Sequence, residues 1–434
     1  MRVFLGCSDI ASFLPRLASA LGHSDETSSC YLFTTSIHPY CVNPNRSDDP
    51  SYSIVCKPLV SLLLSIQSRP LLRYLAAPVI ALCWLLLRLL ITFWAMIKID
   101  AFLFVSGKSL LPFGLDARLF RVMGKRVVHI YLGTSSRPRF MGVRRDKSFE
   151  TKDAKHWLGK LKRRISRQAR RLRHHGKCAD IVIDNPLCGQ YHDRPFVSWF
   201  HVGFSSESRS DNTYKQNRPL SASVRIVHSP SVPAIKGSVE ISEAIGTLKK
   251  EGYKIDFIQL TGVPRARVLE EIDRCDLVID QLYSDTPLAS FACEAAERSR
   301  MAVVGGYGWK ELEQWMPPGL PVQGLCHPTE LKDKLRSLLD DRESISIIGR
   351  QAHEFITGYW SSREVARRML AIFRGDIPED WYCHPSTIQY FLGQGADKEH
   401  RLKIIRSLVD EYGMSVLGPV SDNLKSAISA ELGH

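Results

Sequence analysis

The chain has 434 residues, 44% hydrophobic and 24% charged, too long for one ordinary core and too apolar for a disordered chain. Lys and Arg number 58 against 45 Asp and Glu, a formal charge of +13, which favours nucleic acid, an acidic membrane surface or a phosphorylated ligand over a neutral partner. The 11 cysteines, scattered from Cys7 to Cys383 with no C-x-x-C pair, exclude a disulfide framework or ordinary structural zinc site and indicate reduced thiols in a cytoplasmic protein.

"MRVFLGCSDIASFLPRL" lacks the charged-then-apolar layout of a signal peptide. It reads as a buried strand, a turn at Gly6 and a helix, a common opening for a parallel α/β domain. Next comes "VIALCWLLLRLLITFWAMI", Val79 to Ile97, with Arg88 its one charge. Its length suits a bilayer span, yet "KIDAFLFVSGKSLLP" follows at once as another strand and turn. A span would put the first strand and this later one on opposite sides of the bilayer. Arg69 and Arg73 precede the segment and Lys98 and Lys108 follow it, so flanking charge assigns no orientation. The preferred reading is a monotopic helix, partly on its domain and partly in the lipid interface. A buried core helix and a true span remain as alternatives.

The first half otherwise keeps an α/β rhythm, with "DAFLFVSG", "RVVHIYLG" and "ADIVIDNP" as short apolar runs ending in turn residues. They predict a parallel sheet with ligand-facing loops at the strand C-terminal ends. In "HIYLGTSSRPRF", Gly133, Thr134, Ser135, Ser136 and Arg137 follow a strand. Their amides and guanidinium suit a phosphate or sugar hydroxyls, with an ordinary turn as the plainer reading. "KHWLGKLKRRISRQARRLRHHGK", Lys155 to Lys177, spaces Trp157, Leu158, Leu161, Ile165 and Leu172 as an amphipathic helix with a basic face. Such a helix suits anionic headgroups; a solvated surface helix is the alternative. No nucleic-acid motif accompanies it, and no nucleic acid is expected.

Residues 205–223, "SSESRSDNTYKQNRPLSAS", are polar and turn-rich, a linker between a first domain at 1–204 and a second at 224–375. Beyond it "VRIVHS", "KIDFIQLTG", "DLVIDQL" and "MAVVGG" alternate as strands with helical segments, a doubly wound domain. The helix after "VRIVHS" turns Ile241, Ala244, Ile245 and Leu248 to one side and ends at Gly252. "YWSSREVARRMLAIFRGDIPEDWYCHP" reads as a helix, a stop and an aromatic loop, opening a C-terminal extension at 376–434.

Three stretches carry a specific resemblance: "HSPSVPAIKGS", "CDLVIDQLYSDTPLASFACEAAERSRMAVVG" and "HPTELKDKLRSLLDDRESISIIGRQAHEFI". From about Val224 to Gly375 the chain resembles the nucleotide-sugar-binding half of a two-Rossmann (GT-B) glycosyltransferase, most like the retaining family-four group. The first half is similar more loosely. The resemblance implies an α/β GT-B fold, two Rossmann-like domains facing a cleft, with a late helix crossing back and a small helical extension. It implies transfer from a UDP- or GDP-sugar to a glycan or lipid-linked acceptor; together with the apolar segment, the basic helix and the cysteine usage, the expectation is a cytoplasmic enzyme peripheral on an anionic membrane surface.

In that family basic side chains and a helix N-terminus stabilise the leaving phosphate, usually without a metal or other cofactor. Lys236 with Gly237 and Ser238 takes that place, and Glu294 takes the place of a carboxylate on the ribose hydroxyls. Of the family's two glutamates separated by seven residues, the earlier position is Thr286. His228 and Ser229 occupy the region of an arginine that precedes the family's lysine. Gly6, Gly133 and Ser135 complete the expected donor-binding set, while His129 and Arg137 are the first-half candidates to touch sugar or phosphate. The plainer readings are a surface lysine and a solvated glutamate. Asp273, Asp276 and Asp280 lack clustered histidines, so no metal is expected. The rival to an enzyme is a non-catalytic GT-B-like protein that keeps the fold as a nucleotide-binding or scaffold protein.

Overall fold

The computed structural model describes residues 1–10, 12–35, 49–67, 77–142, 154–206 and 223–433. Nearly all of the expected linker, together with Arg69 and Arg73, lies outside the described residues. Seven strands form among the described residues of the first half: β1 (Arg2–Cys7), β2 (Ser29–Thr34), β3 (Ser53–Ile54), β4 (Ala101–Val105), β5 (Arg126–Ile130), β6 (Ile181–Asp184) and β7 (Phe196–Ser198). Five follow: β8 (Val224–His228), β9 (Ile255–Gln259), β10 (Leu277–Ser284), β11 (Met301–Gly306) and β12 (Leu325–Cys326). A last short strand, β13 (Tyr382–Cys383), comes from the predicted aromatic loop and pairs antiparallel with β7.

The first sheet runs β13-β7-β6-β5-β4-β1-β2-β3, parallel except for β13. Its strand order reverses between β1 and β4, as in a Rossmann fold. The second sheet, β12-β11-β10-β8-β9, is wholly parallel and reverses between β8 and β10. Continuous apolar strands such as "AFLFV" tolerate burial on both faces, which parallel sheets require. Helix Ser362–Arg374 leaves the second domain and docks on the first, where Arg126 Nε donates to the Phe373 carbonyl at 3.1 Å. Helices Lys398–Tyr412 and Asp422–Leu432 complete the extension. Two Rossmann-like domains joined by a returning helix constitute the expected GT-B arrangement.

One face of the first sheet carries a row of rings. Tyr31 and Phe33 on β2, Phe4 on β1, Phe102 and Phe104 on β4 and His129 on β5 share that face by register. Three helices roof the row. Trp84 and Trp94 of Ala77–Lys98 reach Phe33 and Tyr31, Phe120 of Leu115–Val122 stacks on Phe102 at 3.9 Å, and His175 of Ala154–Cys178 meets His129 edge-on. The opposite face takes helix Phe13–Gly22 and the returning helix.

This row corrects two expectations. Gly6 is no turn residue; it lies within β1, paired with Phe33 and Phe104. A Cβ there would come within 2.9 Å of the Phe4 ring, so the glycine makes room for aromatic packing. His129 is buried under the helical roof instead of facing the cleft, and neither ring nitrogen has a partner among the described residues.

Burial pushes His129 down to about 3, and likewise His175 and His201 to about 4. An unfolded imidazole binds its proton near pH 6.5, so below that the unfolded chain holds more protons and folding weakens as pH falls. For His129 alone the loss between pH 6.5 and 5 is expected to be about 2 kcal/mol. Unfolding midpoints of the parent and His129→Phe across this range check it, and the variant should show the shallower decline.

Candidate functional site

In open α/β sheets ligands bind beyond the strand C-terminal ends where the order reverses. In the second sheet this places the site outside β8 and β10. There β8 ends at His228 and Ser229 follows. A short helical turn, Pro233–Lys236, then leads through Gly237 into helix Ser238–Lys250. Gly237 adopts φ 73° and ψ 34°, and a Cβ would meet that of Leu282 at 2.6 Å. Only glycine allows this left-handed link to press against β10.

His228 is fully buried, its Nδ1 at 2.8 Å from the Ile279 carbonyl and its Nε2 at 2.8 Å from Ser238 Oγ. A carbonyl can only accept, so Nδ1 carries the proton and Nε2 accepts from the hydroxyl. Burial lowers its proton affinity, which keeps the ring neutral. His228 therefore braces the start of the helix and is not itself turned to a ligand. Lys236 Nζ lies 3.0 Å from Asp280 Oδ1, while the second Asp280 oxygen has no partner among the described residues. The lysine is partly exposed and the aspartate buried. One ammonium proton is committed to Asp280, and the group sits beside the helix N-terminus with its remaining donors.

Across the cleft, the loop after β5 turns at Gly133, whose φ is 81°, so that the amides of Ser136 and Arg137 fold back onto its carbonyl. Gln168 of the basic helix donates to the carbonyls of Ser135, Ser136 and Arg137 from outside. Ser135 Oγ is buried and without a partner among the described residues. Arg137 reaches the second domain, its Nε 2.5 Å from Asp285 Oδ2, with both side chains almost wholly buried. Burial opposes the charge on each, but their attraction prevails. Arg137 is held more firmly protonated, and Asp285 falls below the usual carboxylate range.

Thr286 joins the same seam, for Asn185 Nδ2 donates to its hydroxyl at 3.0 Å and to the Asp285 carbonyl at 2.8 Å. Behind it Asp184 accepts from Ser136 Oγ and contacts His192 Nε2, both at 2.8 Å. The structure thus gathers His228, Ser229, Lys236 and Gly237 at one strand end. Gly133, Ser135, Arg137 and Thr286 meet at the interdomain seam, while His129 and Gly6 stay in the core. Glu294 lies on helix Ser290–Ala296 with Oε1 at 2.6 Å from Arg265 Nε.

Asp280, Asp285, Asn185 and Arg265 escaped the sequence reading as site residues. Asp285 and Asn185 each stand in a short polar turn directly after a buried strand, "SDTP" and "DNP", and that position is their signal. Arg265 carries no such signal, because its partner lies 29 positions away. Chemically the cleft offers a lysine beside a helix N-terminus, an oriented carboxylate, and a buried guanidinium at the domain seam. This set suits a ligand with a phosphate end and a hydroxylated ring.

No family model matches the chain, and no curated protein matches it significantly. Among solved structures the chain is similar to HepE from Anabaena in complex with UDP, 12% identical over 86% of this chain and 100% of that one, TM-score 0.45. It is similar to sucrose-phosphate synthase from Thermosynechococcus elongatus, 12% identical over 86% and 98%, TM-score 0.47. It is also similar to the glycosyltransferase SnogD from Streptomyces nogalater, 12% identical over 86% and 100%, TM-score 0.37. Likenesses this distant carry no argument about the site, and the fold rests on the sheet order itself.

Replacing Asp285 by alanine would leave a buried guanidinium unpaired. The expected loss is about 3–5 kcal/mol, most of it recovered when Arg137→Met accompanies Asp285→Leu. Denaturant unfolding of both variants measures it, and a small loss for the single change would show that the pair is readily hydrated.

Proposed function

We propose that this protein is a glycosyltransferase that moves a sugar from a nucleotide-sugar donor to a lipid-linked or polysaccharide acceptor at a membrane surface. The observation that carries the reading is Lys236, poised beside Gly237 and the start of helix Ser238–Lys250 where the second sheet reverses its order. Breaking a bond to a nucleoside diphosphate builds negative charge on the leaving oxygen, and a lysine beside a helix N-terminus stabilises it electrostatically. Glu294, oriented by Arg265, would accept from the ribose hydroxyls through its second oxygen.

A retaining, metal-independent course is the finer form of this proposal. Lys236 and the helix N-terminus supply the charge stabilisation that a metal would otherwise give, and the leaving phosphate can itself draw the acceptor proton. Arg137 is spent on Asp285, so its role is to hold the two domains in register while the donor and acceptor meet. His129 has no part in the reaction.

A second reading has its own support. Thr286 stands where a second carboxylate would grip the donor sugar, and its hydroxyl is taken by Asn185. A protein that binds a nucleotide without transferring sugar would accept that arrangement. Thermal shifts with UDP, GDP, ADP and CMP, followed by transfer assays on membrane extract, separate the two. Binding without transfer to any extract selects the second reading, and binding of none of the four rejects both.

Lys236→Ala is expected to weaken nucleoside diphosphate binding by about 1.5–3 kcal/mol, the value of a charge-assisted contact. The change also strands the buried Asp280, so stability should fall. Adding Asp280→Asn should restore stability but not affinity, and recovery of both would remove Lys236 from the binding site. Glu294→Gln is expected to weaken UDP or GDP more than free pyrophosphate, which lacks the ribose. Parallel losses in calorimetric titrations would point to a general disturbance of the helix instead.

A further inference from the structure

The three helices that roof the ring row turn their outer sides the same way, and what they present changes across the layer. Ala77–Lys98 exposes Val79, Leu82, Leu86, Leu90, Phe93 and Ile97. Most of its apolar stretch lies outside the core, so the helix is no ordinary core element. Arg88, its one interior charge, folds back towards the Trp84 ring and leaves the outer side uncharged. In the neighbouring segment Phe113 is 75% exposed and Val122 87%, with Leu115 and Leu119 beside them. Soluble monomers seldom leave so much apolar surface together.

The third helix, Ala154–Cys178, contains no Asp or Glu. Between it and Leu115–Val122 lies a groove of about 550 Å³, closed at one side by Gly418 and Pro419. Arg118, Arg170, Arg173, His174 and Lys177 line it, and among the described residues no carboxylate does. The crowding of positive charge is felt nearby, where burial, Arg171 and His174 together hold His175 neutral. Phe113 meets the groove directly, since its carbonyl lies 2.7 Å from His174 Nε2. An apolar strip passing into a cationic groove matches the change from acyl chains to phosphate headgroups across a lipid interface.

We propose that this face docks on an anionic membrane and that the groove is its phosphate subsite. It takes the headgroup phosphate of an anionic phospholipid while Phe113, Leu119 and Val122 enter the acyl region beside it. The inference rests on the membrane-surface part of the proposed function and is independent of the donor site.

Co-sedimentation of the full chain with phosphatidylcholine vesicles, with and without phosphatidylglycerol, tests it. Binding should favour the anionic vesicles and weaken with salt. Replacing Arg118, Arg170, Arg173 and Lys177 with glutamine should lower anionic partitioning by about fivefold per charge removed, leaving neutral vesicles unaffected. Val122→Asp should weaken binding to both kinds of vesicle. Thermal midpoints and nucleotide titrations on the same variants separate a docking defect from misfolding and from failure of the donor reading.

Equal partitioning of the fourfold variant and the parent would overturn the subsite. So would groove-dependent binding of free pyrophosphate without any preference for anionic vesicles, since the ligand would then be a soluble anion. Undiminished binding by Val122→Asp would remove the apolar half of the proposal. Resistance of the parent to alkaline carbonate extraction would replace docking with a span.

Discussion

The ion pair between Arg137 and Asp285 is the contact on which the rest of the molecule turns. It joins the loop after β5 in one domain to the loop after β10 in the other, and both partners are almost wholly buried. A charge buried beside a charge of opposite sign is tolerated only while the two remain together. The loops therefore keep one relative position, and with them the two strand ends that flank the cleft. Arg16 and Glu297 make a second buried pair between the domains at 2.6 Å. A ligand that opened the cleft widely would have to hydrate or re-partner these charges.

Much of the architecture was legible because it depends on short-range pattern. The alternation of apolar runs with turn residues located most of the strands, and three-and-four spacing located the basic helix to within a residue of its observed ends. Residues following β8 and β10 were also legible, since a parallel sheet places its ligand loops at strand C-terminal ends. What escaped depends on distant partners. His129 lies at the end of an apolar strand, as a cleft histidine would, and only the roof helix shows that it belongs to the core. Gly6 resembles a turn glycine until Phe4 and Phe33 come together around it. Arg137 was recognised, but its partner is 148 positions away, and no local pattern reveals that the guanidinium is already engaged.

The basic helix links the outer face to the cleft. Its outer side carries Arg170, Arg173 and Lys177, while Gln168 points inward and donates to three consecutive carbonyls of the Arg137 loop. One side-chain amide has two hydrogens, so three acceptors share them and hold the loop as a unit. The surface helix and the interdomain ion pair are thus separated by a single side chain and one turn of loop. Movement of the helix on its sheet would be felt at Asp285 without any intervening element.

The strand β13 has a consequence for how the chain reaches this shape. The first sheet is finished along its β7 edge by residues 382 and 383, although its other strands end at residue 198. A ribosome emits the second domain before that last strip of backbone exists. During synthesis the N-terminal sheet stands with the amides and carbonyls of one border unpaired, the condition in which strands recruit foreign chains. The border is short, three residues in β7, and the late-arriving strip pairs against it in the opposite direction. The strand thus acts as a selvedge from the last eighth of the polypeptide, and a chain truncated before it would keep one raw margin.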